Sequence, residues 1–163
     1  MSLDLYIETK ITEKKTGRVI SRDYDFFEDN YIEICYWCSW FFSDVRDGLI
    51  EIANKYSEQK YTSKDFEIPL PESALREVYG YLLENSFVPE SEYKWSDSMA
   101  REISSVENAW KLRRFIHGLE CVKHKNIFIF DDIKKYIPDE NDWKNLNENP
   151  QAFEWKFRIS NSY

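Results

Sequence analysis

Residues 153–159 read Phe-Glu-Trp-Lys-Phe-Arg-Ile. Phe153, Trp155, Phe157 and Ile159 alternate with Glu154, Lys156 and Arg158, the period-two pattern of a strand that turns one face to a core. The other end of the chain repeats it: in residues 3–11, Leu3, Leu5, Ile7 and Ile11 alternate with Asp4, Glu8 and Lys10. Lys14-Lys15-Thr16-Gly17 is a turn signal, and Arg18–Tyr24 brings Val19, Ile20 and Tyr24 back as a second strand, so the spacing predicts an N-terminal hairpin.

Between these ends the spacing becomes helical. Ile34, Cys38, Phe41, Val45, Leu49, Ile52 and Tyr56 fall three or four apart, the stripe of a helix of about six or seven turns. Asn30, with Glu33 three residues on, is the expected N-cap. Gly48 weakens this helix by about 1 kcal/mol relative to Ala. Tyr36, Trp37, Trp40 and Phe42 widen its apolar arc, so it either packs on two sides or shows aromatics to a partner. Pro71 suits the first turn of a second helix carrying Leu75, Val78, Tyr79 and Leu82. A third, of about 22 residues, is expected from Ser96, with Met99, Ile103, Val106 and Trp110 leading into Leu112, Phe115, Ile116 and Leu119. Asn126–Phe130 reads as a short strand and Asp132–Tyr136 as a helical turn. Strands at the ends and helices in the middle imply an α+β fold: an antiparallel sheet of the N-terminal hairpin and C-terminal strands, with about three helices packed on one face. We expect one domain over residues 1–163.

Composition narrows the function more than it names it. Net charge is −8, from 30 acidic and 22 basic residues, which argues against bulk nucleic-acid binding through phosphates. No signal-peptide pattern opens the chain and no run of about 18 apolar residues crosses a membrane. Three cysteines without framework spacing imply reduced thiols and a cytoplasmic location. Four glycines leave neither Gly-x-Gly-x-x-Gly nor a P-loop.

The residues that could carry chemistry are few. Cys35 and Cys38 form a Cys-x-x-Cys, and His117, Cys121 and His124 lie within eight residues of one another. Two thiolates with two of the later groups could hold zinc, yet the first pair lies inside an aromatic helical pattern without a knuckle turn, and free cysteine is among the most buried residue types. Cys121 beside His117 or His124 could make a thiolate–imidazole pair, but no nucleophile motif surrounds it. Asp131-Asp132 could bind Mg²⁺ or cap a helix. No cofactor is expected, and enzyme status stays open on the side of no. Charge is uneven: residues 23–33 hold Asp23, Asp25, Glu28, Asp29 and Glu33 with no basic residue, whereas residues 111–125 hold Lys111, Arg113, Arg114, Lys123 and Lys125 against Glu120. The basic stretch either touches an anionic partner or complements a helix C-terminus.

Leu3-Asp4-Leu5-Tyr6-Ile7, with Tyr36-Trp37 and Trp40-Phe41-Phe42 following, resembles small phage and prophage proteins that open Gly-Leu-Asp-Met-Tyr-Leu and later carry Tyr-Trp-Arg-Lys and a Trp-Phe pair. Ser2 replaces their Gly, and Cys38-Ser39 their Arg-Lys. The resemblance covers about the first 80 residues and implies a mobile-element protein that engages a host machine, without supplying an activity. The resulting expectation is a non-enzymatic interaction protein that inhibits a host or defence protein. Asp23, Asp25, Glu28 and Asp29 would meet a basic protein surface and Trp37 and Trp40 would anchor in it, core packing being the other reading of the tryptophans. Nucleic acid and membrane are not expected partners. The alternatives are a small thiol- or zinc-dependent enzyme using Cys35, Cys38, His117 and Cys121, and a nucleic-acid-associated protein using residues 111–125.

Overall fold

Leu5, Ile7, Thr9 and Ile11 are all fully buried, while their neighbours are half-exposed. That alternation makes Asp4–Glu13 a strand, β1, with one face on the core. The computed structural model describes residues 4–23, 29–38, 43–84, 108–120 and 131–162. The other strands are β2 (Ile32–Cys38), β3 (Glu67–Leu70) and β4 (Phe153–Ser162). They form one antiparallel sheet of order β2-β1-β4-β3. The helices are α1 (Ser43–Lys55), α2 (Leu75–Glu84), α3 (108–120) and α4 (Glu140–Glu148), with short 3₁₀ turns at Glu72–Ala74, Asp131–Tyr136 and Pro150–Ala152. The expected α+β architecture is present, with four helices among the described residues. None is long and apolar enough to cross a membrane.

The helices lie over the face that carries the odd-numbered residues of β1 and β4. Ile7, Ile159 and Ile68 stand side by side across three strands and all three are fully buried. Val45, Leu49 and Ala53 of α1, Leu75, Val78 and Leu82 of α2, and Leu112, Phe115 and Leu119 of α3 close over this row. Phe115 meets Trp155 and Phe157 edge-on, with centroids 5.6 and 5.7 Å apart, the arrangement the ring quadrupoles favour. The Tyr81 ring lies where a Cβ on Gly48 would stand, within 2.7 Å of it, so this glycine lets α2 approach α1. A second cluster at the far end of the same face joins Ile11, Ile32 and Phe153 to Ile20, Ile133, Ile137 and Leu146. There Asp139 caps α4 by accepting from the Asn141 and Asp142 N–H groups, and Arg18 grips Asp142 with two hydrogen bonds of 2.8 and 2.6 Å.

Several expectations are corrected. The long helix expected from Asn30 is two elements: Ile32–Cys38 is strand β2, and the helix begins at Ser43. The reason is a β-bulge. Ile7 pairs with Cys35 but Glu8 pairs with Glu33, leaving Ile34 as the extra residue. Ile34 and Cys35 are therefore buried consecutively, which breaks the alternation and imitates a helical stripe. Asn30 is no N-cap: its φ of 63° places it in the left-handed region that Asn tolerates, and its carbonyl accepts from Ser21 Oγ. The return arm of the N-terminal hairpin is reduced to a single bridge, Thr12 to Val19, because Ser21 Oγ takes the Ile11 N–H. β3 and α4 are additions. Trp110, expected in the stripe of the third helix, is 58 % exposed. The strand expected at Asn126–Phe130 lies outside the described residues.

Candidate functional site

Alternation puts the even-numbered residues of β1 and β4 on the sheet face opposite the helices. Arg158 stands there and is only 9 % exposed. Its Nε donates to Glu8 Oε2 at 2.8 Å and its Nη2 to Asp29 Oδ2 at 2.5 Å, while Nη1 lies 3.0 Å from Glu67 Oε1. The guanidinium carbon is 3.7 Å from the centre of the Tyr31 ring, and Lys10 Nζ is 4.8 Å from the same centre. The cation is thus fixed by three carboxylates and one aromatic face. Burial works against its charge, but the Asp29 and Glu8 contacts outweigh burial and hold it charged. Burial pushes the Glu8 carboxyl above its usual range although Arg158 pulls the other way.

Further along this face the Tyr6 and Tyr36 rings meet at a tilt of 36° with centroids 5.1 Å apart, and the Tyr36 hydroxyl donates to Asp4 Oδ1 at 3.1 Å. Tyr36 is 40 % exposed. Burial and the Asp4 charge push the Tyr6 hydroxyl up to about 12. Glu33, beside Tyr36, is exposed. The described part of this face carries Tyr6, Tyr36, Asp4 and Glu33 at one end, the Arg158 cluster beside them, and Lys10 with exposed Lys156 towards the other end.

The sheet edges differ. On β2, Asn108 at the described start of α3 bonds both backbone groups of Tyr36 and closes the edge. On the other side β3 covers only Phe157–Ser160 of β4. Beyond it lies a groove of about 600 Å³ whose lining includes Tyr31, Tyr61, Glu67, Pro71, Trp155 and Lys156.

Of the residues singled out from sequence, Asp29 belongs to the Arg158 cluster. Asp23 instead lines a separate hollow with Arg18, Arg22 and Asp142. Asp25, Glu28 and Trp40 lie outside the described residues. Trp37 is 1 % exposed, so core packing and not anchoring is its place. Cys35 is buried with its thiol 3.5 Å from the Asn108 carbonyl, and burial pushes that thiol far up, which disfavours the thiolate that a metal or a nucleophile needs. Cys38 ends β2, His117 is exposed on α3, and Cys121 lies outside the described residues. Among the described residues no group of three or more His, Cys, Asp or Glu could hold a metal ion. Lys111, Arg113 and Arg114 lie on α3, where Arg113 sits 5.6 Å from the Trp110 ring centre.

Sequence reasoning missed Arg158, Glu8, Tyr31 and Asn108. Arg158 looked like the polar half of an alternation; only the register, which sets it opposite Glu8, reveals a cluster. Comparison with known protein families, with curated proteins and with solved structures finds no match to this chain.

Proposed function

We propose that the chain is a non-enzymatic interaction protein that binds and blocks a basic partner surface through the sheet face opposite its described helices. The observation that carries this reading is the belt of Tyr6 and Tyr36 with Asp4 and Glu33 on that face, Tyr36 being 40 % exposed. Tyrosines supply rigid contact area at low entropic cost and are enriched at interfaces. Carboxylates beside them select basic partners and speed encounter, in line with the net charge of −8. Asp29 is spent on Arg158, so the acidic contacts pass to Asp4 and Glu33. A host or defence protein, the target class implied by the likeness to phage proteins, fits this chemistry.

The test compares what the chain and its Tyr36→Ala/Glu33→Lys variant retain from a host extract. We expect a partner with a basic surface that the chain holds and the variant releases, with at least about a tenfold loss in affinity on purified components. Equal retention by both overturns the proposal.

A further inference from the structure

Among the described residues, the backbone of Trp155 is left without a neighbouring strand on the β3 side of β4. Its neighbour on β1 is Ile11, whose N–H goes to Ser21 Oγ and whose C=O accepts from the Ile20 N–H, both on the side away from β4. The Ile11–Trp155 pair is therefore not hydrogen-bonded, and the Trp155 N–H and C=O point to the opposite edge. The far end of β4 gives the same answer: the Asn161 N–H donates to the Phe66 C=O on the β3 side, and period-two alternation carries that direction through Ile159 and Phe157 to Trp155. β3 pairs with Phe157 through Leu70 and stops. Pro71 follows, has no N–H, and starts the turn Glu72–Ala74. Trp155 is left facing the groove.

The other free edges are guarded. Asn108 occupies the β2 edge at Tyr36, and β3 is four residues long with Pro69 in it, a usual defence against pairing. The groove edge has neither device. Its lining mixes Glu67 and Glu72 with Lys156 and Arg158; Arg158 is matched by Glu8, Asp29 and Glu67, and exposed Glu154, without an ion-pair partner among the described residues, is the charge next to Trp155 at the open end.

We propose that this groove takes an extended segment of a partner protein as an added antiparallel strand, of the pattern apolar–basic–apolar. The first apolar residue exchanges two hydrogen bonds with Trp155 and sets its side chain beside the Trp155 ring. The basic residue, on the other face, stands across from Glu154. A second copy of this chain cannot use its own β4 here, because its β3 covers the strand two residues further on. The proposal rests on the reading of the chain as an interaction protein, but it concerns a surface distinct from Tyr36.

The probes are fluorescein-labelled Thr-Val-Arg-Val-Thr, its Arg→Glu form, and the parent N-methylated at the first valine. The full chain should bind the parent at least about tenfold more tightly than either control, with the Trp155 amide among the shifted NMR resonances. Glu154→Lys, an exposed substitution, should reverse the preference between the Arg and Glu peptides. Tyr36→Ala should leave parent binding unchanged, so failure of the groove and failure of the tyrosine belt are told apart. No saturation below about 1 mM, equal binding of the N-methylated peptide, an unchanged preference in Glu154→Lys, or a self-associated chain with Trp155 in its interface would each overturn the proposal.

Discussion

The side chain of Asn108 does for Tyr36 what a fifth strand would do. The Tyr36 N–H donates to Asn108 Oδ1 at 3.1 Å, and Asn108 Nδ2 donates back to the Tyr36 carbonyl at 2.8 Å. Asn108 is 2 % exposed, so both bonds are made where water is scarce. Asn108→Leu leaves two backbone groups unmatched and should cost about 2–3 kcal/mol. Urea unfolding measures the loss, and light scattering should show concentration-dependent association through the opened edge. An unchanged urea midpoint would refute this role.

Gly48 should resist the usual helix-stabilising substitution. Gly48→Ala gains about 1 kcal/mol in propensity, but its methyl meets the Tyr81 ring, and overpacking of that kind costs about 1–3 kcal/mol. We expect a net fall in thermal stability. In a Tyr81→Ala background the same change should turn stabilising, and the double-mutant cycle reads the coupling directly.

Arg158→Met strips the cation from Glu8, Asp29 and Glu67. Arg158 and Glu8 side chains are 11 % and 13 % exposed, so the loss should be about 3 kcal/mol at neutral pH. The sign of its pH dependence follows from Glu8, whose carboxyl burial already holds above the usual range. Losing Arg158 raises it further. An acid whose folded pKa exceeds its unfolded one gains protons on folding, so its penalty shrinks as pH falls from the folded value towards the unfolded one. The stability gap to the parent chain should narrow as pH falls towards the ordinary glutamate range; a constant gap would count against the cluster.

Arg18 and Asp142 act in the opposite sense. The Arg18 hydrogen bonds hold the Asp142 carboxyl below its usual range. Its stabilisation is complete above the ordinary value of 3.8 and fades as pH drops through the depressed one. Arg18→Gln should therefore move acid unfolding to higher pH. The loss at pH 7 should be only about 1 kcal/mol, because the Arg18 side chain is 52 % exposed. Circular dichroism across an acid titration checks both statements.

The parts of the fold that were legible are those where periodicity and burial agree. Phe153, Phe157 and Ile159 alternate and are buried, and Leu75, Val78 and Leu82 of α2 follow a helical spacing and are buried. β2 was hidden because the bulge at Ile34 replaces alternation with two consecutive buried residues. β3 was hidden because Pro69 reads as a breaker, although an edge strand accepts it. α4 was hidden because Trp143 and Leu146 are too few to make a stripe and Asp142 is buried by its pairing with Arg18. The candidate site was legible only in Asp29. Arg158, Glu8, Tyr31 and Asn108 acquire meaning from cross-strand register and long-range contact, which one-dimensional spacing does not encode.

The order β2-β1-β4-β3 sets the first and last strands of the sheet against each other, Asp4 beside Ser162. The β1–β4 ladder joins widely separated stretches of the chain, so the inner edge of β1 stays unmatched until that distant partner docks. Such remote closure is entropically slow, and a chaperone that shields an exposed apolar strand during that interval would help this protein reach its fold.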